Sequence, residues 1–290
     1  FKFLNGKKLL LNYLLEYCKI VKPDWIITSI YWDLKFYELK NELNRKIKFV
    51  IVQRMPFYKG LLPIFKKKQN VDLFFCYDYA SKNNYSTIID AKFIEIGSFS
   101  SNFYPKEKKK NSKDILFISG FKENFLNMGP ENILFKNVKQ EREIITHLNK
   151  FTKEININFK ILLKPNVESN SYSNQFQISK DFLIYNNGEN AYKTLDNFAF
   201  ILLTNYSAMC YEAAARGLKY AIIPIQSNPE NNLNKNFFNI YFGEIDYLNF
   251  KNFLVTLYDD TKESFFKKYN QTYTNCVFDE QNKIFRSYIN

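Results

Sequence analysis

The residues best suited to chemistry in this sequence stand between the apolar run 198–203 and a helical pattern that ends at Gly217. Thr204 and Ser207 lie there, where a strand would end and a helix would begin. Ligands of open α/β sheets gather at the carboxyl ends of the strands, and the free amides of a helix N-terminus attract phosphate. Ser207 is therefore either a phosphate ligand or simply the residue that caps the helix, and its position alone favours neither.

Two further pairs of residues stand where a predicted strand ends or a predicted helix begins. Ser119 and Gly120 end an earlier strand pattern, and small residues there let a backbone come close to a phosphate. Glu189 and Asn190 open another helical pattern after an Asn-Asn-Gly turn. We expect this second pair near a nucleotide base or ribose, although helix capping and first-turn charge explain the same residues.

The segment that begins at Thr204 resembles the nucleotide-binding segment of several GT-B glycosyltransferase families. These are the surface carbohydrate biosynthesis proteins, the capsular Kdo transferases and the CDP-glycerol glycerophosphotransferases, whose version reads like T-D-Y-S-S. Upstream, the Leu-Lys-Pro-Asn sequence at 163–166 is similar to the K-P-H-P segment of bacterial GT-B sialyltransferases and Kdo transferases. The similarity spans residues 115–224 and rests on short motifs: Thr204-Asn205-Tyr206-Ser207-Ala208, Tyr211-Glu212-Ala213 and Ala215-Arg216-Gly217.

The resemblance implies an α/β protein of the GT-B type, with two Rossmann-like domains whose parallel sheets face a central cleft. It also implies a donor linked to a cytidine nucleotide, since the sialyl and Kdo enzymes use CMP-sugars and the glycerophosphotransferases use CDP-glycerol. Glu212 stands where GT-B enzymes often place an acid that holds the ribose hydroxyls; the alternative is a solvated helix charge paired with Arg216. The residues assigned to donor binding in this way are Lys164, Asn166, Thr204, Tyr206, Ser207, Ala208 and Glu212.

Two departures from these families bear on the mechanism. Asn166 stands where the sialyl and Kdo transferases have His. The leaving phosphate then needs other help, for which Lys164, Ser119 and the amides near Ser207 are candidates. Catalysis in the glycerophosphotransferases depends on histidines, whereas this chain has a single one, His147, within a helical pattern. Sugar transfer is therefore favoured over polyol-phosphate transfer.

We expect neither a metal nor a cofactor. The four cysteines lack the CxxC spacing of zinc sites, and nothing resembles the DxD motif of metal-dependent GT-A enzymes. Helix amides and basic side chains can neutralise a departing phosphate without a metal.

The catalytic carboxylate, if one is used, is expected in the N-terminal half, because GT-B enzymes hold the acceptor there. Asp33 and Asp78 each follow an apolar strand pattern, and Asp33 is our first candidate. Gln53 and Arg54 end another strand pattern and could grip an anionic acceptor. Each of these residues also has an ordinary structural interpretation.

The elements that must position these residues alternate between helix and strand. Helical patterns at 8–21 and 34–43 precede apolar runs at 25–29 and 48–52, respectively. Short apolar strands between helices predict a parallel sheet covered on both faces.

A polar, Lys-rich stretch at 98–112 breaks this alternation and is our linker candidate. A second series of strands and helices follows it. We therefore predict an N-terminal acceptor domain at 1–105 and a nucleotide-sugar-binding domain at 106–250. The first strand of the acceptor domain can be missing from this sequence. The helical patterns of 251–290 are expected to cross back to the first domain.

The 290-residue chain, with 46% hydrophobic and 24% charged residues, has the composition of a globular protein. Its net charge of +12 comes in short loop clusters, which argues against nucleic acid and suits anionic substrates at an anionic membrane surface. Since no apolar run approaches the roughly 20 residues that span a bilayer, we expect a cytoplasmic protein with peripheral contact at the inner membrane face.

These features predict transfer of a sugar, a Kdo-like or nonulosonic acid, from a CMP-activated donor to a surface glycan such as a capsule or O-antigen. The acceptor would be a glycan or lipid-linked. The alternatives are a nucleotide-sugar 2-epimerase or polyol-phosphate transferase of the same architecture, and a non-catalytic partner of a glycan assembly complex. Turnover of a free sugar nucleotide without acceptor would identify the epimerase.

Overall fold

The computed structural model describes residues 6–43, 47–54, 64–107, 112–129, 131–185, 191–204, 209–223, 246–269 and 277–289. The chain forms two compact units. The first consists of Phe1–Phe103 together with Val277–Asn290, and the second of Tyr104–Cys276.

The first unit is built on a parallel sheet with the strand order β1-β2-β3-β4. Its strands are β1 (Trp25–Thr28), β2 (Lys48–Val52), β3 (Gln69–Cys76) and β4 (Ile89–Glu95). Its helices are α1 (Gly6–Val21), α2 (Leu34–Leu43), α3 (Tyr79–Ser86), α4 (Phe99–Asn102) and α11 (Lys283–Ile289). The expected parallel sheet is confirmed, since every strand pair in it is parallel.

Both faces of this sheet are covered. On one face, Tyr31, Tyr37 and Tyr85 are buried beside Phe74. Their hydroxyls remain satisfied, because Tyr37 donates to the carbonyl of Tyr31 (2.6 Å) and Tyr85 donates to the hydroxyl of Tyr31 (2.7 Å). On the other face, Val50, Phe75 and Ile94 form a smaller cluster.

The C-terminal helix α11 closes that smaller cluster. The ring centroid of Phe285 lies 4.8 Å from that of Phe75 and 4.9 Å from that of Phe99, both edge to face. Ile289 packs against the same cluster. The last residues of the sequence therefore supply part of the core of the first unit.

The second unit contains a five-stranded, all-parallel sheet with the order β7-β6-β5-β8-β9. Its strands are β5 (Ile115–Ile118), β6 (Phe159–Leu162), β7 (Leu183–Ile184), β8 (Phe200–Thr204) and β9 (Lys219–Ile223). Its helices are α5 (Ile133–Glu154), α6 (Ser169–Phe176), α7 (Ala191–Leu195), α8 (Met209–Ala215), α9 (Tyr247–Asp259) and α10 (Lys262–Tyr269). Strands β5 and β9 are buried on both faces, as parallel strands between helix layers must be, whereas the edge strand β7 is only partly buried.

The strand order of the second sheet reverses beside β5. The chain runs outward from β5 to β6 and β7, and then returns to place β8 on the opposite side of β5. The connections that follow β5 and β8 leave the sheet in opposite directions, which opens a crevice at the carboxyl ends of these two strands. Any ligand of this sheet is expected at the ends of β5 and β8.

The predicted linker at 98–112 needs correction. Its first residues form α4, in which Ser101 and Asn102 are buried within the first unit. Polar residues are buried there because they are hydrogen-bonded: Asn102 Nδ2 donates to the carbonyl of Ile96 (2.6 Å), and the amide of Ser101 donates to Ser98 Oγ (3.3 Å). The N-terminal segment of the first unit extends through this helix to Phe103.

The predicted return of residues 251–290 to the first domain is wrong in part. Helices α9 and α10 belong to the second unit, where Phe250, Leu254 and Phe265 join its hydrophobic core. Only the segment from Val277 onward belongs to the first unit. None of the described helices is both long and apolar enough to cross a membrane.

Candidate functional site

Two predicted site positions stand at neighbouring strand ends on either side of the reversal. Ser119 follows β5 directly, and its amide donates to the carbonyl of Leu162 in β6 (3.1 Å). Thr204 is the last residue of β8, in register with Ile223 of β9. The sheet therefore brings the ends of both predicted segments to the crevice where α/β proteins bind ligands.

A buried carboxylate from α5 holds the turn after β5. Glu141, only 3% exposed, accepts hydrogen bonds from the hydroxyl of Ser119, from the amide of Gly120 (3.0 Å) and from the hydroxyl of Tyr172 (2.8 Å). The Ser119 hydroxyl in turn accepts from the amide of Phe121 (3.1 Å). Its proton is thus committed to Glu141, so Ser119 acts here in shaping the turn.

The pKa of the Glu141 carboxyl is raised, because the effect of burial exceeds the lowering by the hydrogen bonds from Ser119, Tyr172 and Gly120 and by the charge of Lys164. Three donors converge on two oxygens, and a carboxylate offers only acceptors. These contacts and the charge of Lys164 favour the ionised form of Glu141, whereas burial disfavours it.

Lys164 lies beside the same turn. It comes two residues after β6, and its ammonium donates to the carbonyl of Gly120 (2.8 Å). Burial, followed by the charge of Lys122, lowers the pKa of Lys164, while Glu141 raises it. The structure therefore places a half-buried cation, predicted to contact the donor phosphate, at the end of β5.

Asn166 shapes the chain just after Lys164. Its φ of 67° lies in the left-handed region, which Asn tolerates better than most residues. The amide of Val167 closes the turn on the carbonyl of Lys164 (3.3 Å). A phosphate contact of the Asn166 side chain remains a prediction.

Glu212 is buried in α8, with 3% of its surface exposed, as are Cys210 and Ala213. The alternative interpretation of Glu212 as a solvated helix charge is therefore wrong. Its contact with ribose hydroxyls is untested and remains a prediction.

Arg216, at the end of α8, forms a buried ion pair with Asp196. Its Nε donates to Asp196 Oδ1 (2.9 Å), and its second terminal nitrogen donates to Oδ2. The same guanidinium donates to the carbonyls of Tyr104 (3.2 Å) and Pro105 (3.1 Å). Arg216 thus fastens the start of the second unit to α8.

Five of the predicted donor-binding residues lie outside the described residues. They are Glu189, Asn190, Tyr206, Ser207 and Ala208. Their roles remain predictions, supported here only by the strand end at Thr204 that precedes three of them.

In the first unit, the two predicted catalytic carboxylates are both helix caps with different exposure. Asp33 is exposed, and its Oδ1 accepts from the amide of Lys35 (3.0 Å) at the start of α2. Asp78 is 3% exposed, and its Oδ1 accepts from the amide of Ser81 (2.7 Å) at the start of α3. Burial raises the pKa of Asp78, and the bonds from Ser81 lower it.

Gln53 joins Asp78 at the ends of β2 and β3. Its Oε1 accepts from the amide of Tyr77 (2.8 Å), and its Nε2 donates to Ser81 Oγ (3.4 Å). Ser81 thereby links Gln53 to Asp78, whereas the described contacts of Asp33 lie within its own turn. Within the described ranges, no group of His, Cys, Asp or Glu could hold a metal ion.

Glu141 and Tyr172 were not predicted as site residues. One signal was available for Glu141: it precedes Ile144, Ile145 and Leu148 by three, four and seven positions, which puts it on the apolar face of its helix. A charge on such a face must find a partner inside the protein. The sequence does not reveal which partner that is.

Comparisons with known proteins agree with this architecture. Residues 59–290 match the model of a family described as "putative O-antigen biosynthesis protein". No curated protein matches the chain.

Among solved structures, a putative UDP-N-acetylglucosamine 2-epimerase from Listeria monocytogenes aligns with a TM-score of 0.58 and 11% identity, over 99% of this chain and 81% of that one. The UDP-GlcNAc 2-epimerase from Neisseria meningitidis bound to UDP-GlcNAc gives 0.55 and 13%, over 98% and 80%. MurG from Acinetobacter baumannii gives 0.52 and 11%, over 99% and 81%. The predicted GT-B fold is confirmed by these neighbours and by the two all-parallel sheets.

Proposed function

The chain belongs to the family described as "putative O-antigen biosynthesis protein", and from this membership we propose that it is a GT-B glycosyltransferase acting on a nucleotide-sugar donor in surface glycan synthesis. The observation that carries the proposal is the crevice of the second sheet, where the turn at Gly120 and the ammonium of Lys164 meet at the end of β5. An anionic donor phosphate suits this cation and the backbone around it.

The proposed reaction transfers the sugar from the nucleotide phosphate to an acceptor hydroxyl on a glycan or lipid-linked chain. The bond between the anomeric carbon and the phosphate oxygen breaks, and a bond from that carbon to the acceptor oxygen forms. The acceptor proton goes to a base, and the nucleotide leaves as an anion. We propose that Lys164 and the backbone amides near Ser207 stabilise that anion without a metal or other cofactor.

For the donor we propose a CMP-linked sugar, a Kdo-like or nonulosonic acid. Support comes from the resemblance of the segments around Lys164 and Ser207 to those of CMP-dependent transferases. The neighbour from Neisseria meningitidis carries UDP-GlcNAc instead, so a uridine nucleotide is the competing donor.

The second candidate function is a nucleotide-sugar 2-epimerase, because two of the structural neighbours bear that name. An epimerase would convert the free sugar nucleotide without any acceptor. Acceptor-dependent release of the nucleotide would favour the transferase.

The acceptor is proposed to bind to the first unit, with Asp33 or Asp78 as the base. Asp33→Asn should then leave nucleotide binding unchanged and lower transfer. If transfer is unaffected in this variant, Asp78 becomes the candidate.

The positive charge of the chain is compatible with acceptors held at an anionic membrane surface. Sedimentation of the protein with vesicles that contain or lack anionic lipid would test this contact.

The proposed nucleotide can be tested by measuring the unfolding temperature in the presence of CMP, CDP, UDP, GDP and ADP. A ligand that binds the folded state raises the unfolding temperature by mass action. We expect CMP and CDP to give the largest rise, and the rise to persist in EDTA. An equal response to all five nucleotides, or a response that needs a metal, would contradict the proposal.

Ser207 is tested with two substitutions in the same assay. Loss of a helix cap in Ser207→Ala costs about 0.5–2 kcal/mol of stability, and Ser207→Gly costs only a few tenths. If the hydroxyl binds the donor phosphate, both variants should lose about tenfold in CMP affinity. Unchanged affinity in both would leave Ser207 as a cap only.

A further inference from the structure

Gly120 is held from both sides by groups of opposite charge. Its amide donates to Glu141 Oε2 (3.0 Å), and its carbonyl accepts from the ammonium of Lys164 (2.8 Å). One residue therefore connects the carboxylate inside the second unit with the cation at the end of β5.

The hydrogen bonds around Glu141 do not by themselves require a charged side chain at this position. The described hydrogen bonds to its carboxylate come from two hydroxyls and an amide, which are all neutral groups. A neutral side chain-amide of the same shape could accept the bond from Gly120 and donate to a hydroxyl. Burying a carboxylate is costly unless it is hydrogen-bonded and paired with a positive charge. The nearby positive charge acting on Glu141 is that of Lys164.

Lys164 lies in surroundings that disfavour its own charge. It is half-buried, and Lys122, two residues after Gly120, repels it. Glu141 acts in the opposite sense. The acid in the adjoining turn, Glu123, binds the amide of Glu168 (3.3 Å). Lys122 thus disfavours the charge of Lys164, and the buried Glu141 partly offsets this effect.

We infer that Glu141 is a positioning residue of the proposed donor site: through Gly120 it fixes Lys164, and its negative charge favours the ammonium that meets the donor phosphate. This inference rests on the proposed function. It assigns Glu141 no contact with the donor. Glu141 acts only through the turn and the lysine, with Tyr172 of α6 holding it in place.

The test is the affinity for CMP and for UDP measured across pH in wild type and Glu141→Gln. The pH at which affinity falls on the alkaline side should be lower in the variant, because the carboxylate no longer favours the charged form of Lys164. Where Lys164 is neutral in the variant but charged in wild type, the affinity should differ about tenfold, as expected for one charge-assisted hydrogen bond. A purely structural role of Glu141 would not move this pH.

Glu154→Gln is the matched control. Glu154 lies on the same helix but at the surface, where it pairs with Lys251 (2.7 Å). This variant should bind nucleotide like wild type at every pH. If Glu154→Gln shifts the alkaline fall as much as Glu141→Gln does, the effect is one of net charge and the inference is overturned.

Lys164→Arg tests the inference even if Glu141→Gln does not fold. Arginine stays charged throughout the accessible pH range, so the alkaline fall in affinity should disappear. A fall that persists in Lys164→Arg identifies another titrating group and overturns the inference. Wild type that binds neither CMP nor UDP contradicts the proposed function itself. Wild type that binds, with the same pH profile in Glu141→Gln, contradicts only the role of Glu141.

Discussion

Asp33 and Asp78 make the same kind of hydrogen bond in different surroundings. Each accepts a backbone amide at the start of a helix, Asp33 at the surface and Asp78 in the interior. A cap needs an oxygen acceptor but no charge, and Asn caps a helix about as well as Asp. The charge of Asp78 is therefore separable from its structural role.

We predict that Asp78→Asn raises the free energy of unfolding at neutral pH. Burial raises the pKa of Asp78 in the folded state, so the folded protein holds the proton more tightly than the unfolded chain does. The resulting stabilisation is complete below the unfolded pKa and is lost as the pH rises through the folded pKa. The advantage of Asn should accordingly grow from acidic to neutral pH, as measured by urea unfolding at several pH values.

Asp33→Asn serves as the comparison in the same measurement. Its cap is exposed, so the substitution should change stability little at any pH. If Asp78→Asn is less stable than wild type at neutral pH, the ionised carboxylate of Asp78 makes a favourable contact beyond its cap.

Individual site residues were predictable only where the signal was local. Gly217 after a helix follows from its own backbone position, whereas the left-handed turn at Asn166 was not predicted. The bonds of Glu141 to Ser119 and Tyr172 join residues 22 and 31 positions apart. Such pairings depend on how α5 and α6 pack against the sheet, which no spacing in the sequence encodes.

The end of α8 shows why some element boundaries can be predicted well. Gly217 has a φ of 70°, its amide donates to the carbonyl of Ala214 (2.8 Å), and the amide of Leu218 donates to that of Ala213 (2.9 Å). These two bonds form a Schellman motif, in which a left-handed residue ends the helix. The predicted helix end at Gly217 is confirmed.

We predict that Gly217→Ala lowers the free energy of unfolding by about 1–2 kcal/mol, the cost of the left-handed conformation for a residue with a Cβ. A Cβ at this position meets no atom within 4 Å, so the loss would come from the backbone alone. Gly217→Asn should lose less, because Asn tolerates this conformation.

Gly129→Ala is the matched control for chemical denaturation. A Cβ there also meets nothing within 4 Å, and Gly129 is not among the residues with positive φ. Equal losses at Gly129 and Gly217 would show that the left-handed backbone is not the cause.

Helix α6, like the short helix α4, was not predicted from the sequence pattern. Its eight residues include only two apolar side chains that become buried, Tyr172 and Phe176. They lie one turn apart, which is too short a stripe to indicate an amphipathic helix. Both rings contact Phe121, at centroid distances of 5.6 and 5.3 Å, so tertiary packing stabilises this helix.

A buried polar cluster ties the C-terminal segment into the first unit. Asn102 Nδ2 donates to Asn282 Oδ1 (3.2 Å), and the amide of Asp279 donates to Asn102 Oδ1 (3.2 Å). Asn282 also donates to the carbonyl of Phe99 (3.0 Å). Beside this cluster the chain passes so close to Gly97 that a Cβ there would lie 1.9 Å from the carbonyl oxygen of Val277.

We predict that Gly97→Ala displaces the C-terminal segment. The added methyl would collide with backbone, and Gly97 also has a φ of 74°, so we expect a loss of about 2–5 kcal/mol in unfolding free energy. Limited proteolysis should then cut near residue 277 in the variant and spare wild type. If the segment stays protected in Gly97→Ala, the contact with Val277 is not what holds it.

The division of the chain into two units was only partly predictable from the sequence, because it depends on contacts between distant residues. Helical periodicity after residue 251 is a local property, and the predicted helices exist. Which unit each helix joins depends on distant partners, such as Phe75 for α11 and the core of the second sheet for α9. Sequence patterns indicate that a helix has an apolar face but not which surface covers it.

The split first unit has a consequence for the order in which the protein can fold during synthesis. A ribosome makes all of Tyr104–Cys276 before it reaches Val277, so the second unit is complete in sequence while the first still lacks α11. Domains usually fold as they emerge, N-terminal first. Here the first unit is started first but is completed only after the second, so the apolar cluster around Phe75 lacks the cover of α11 until that helix has been made.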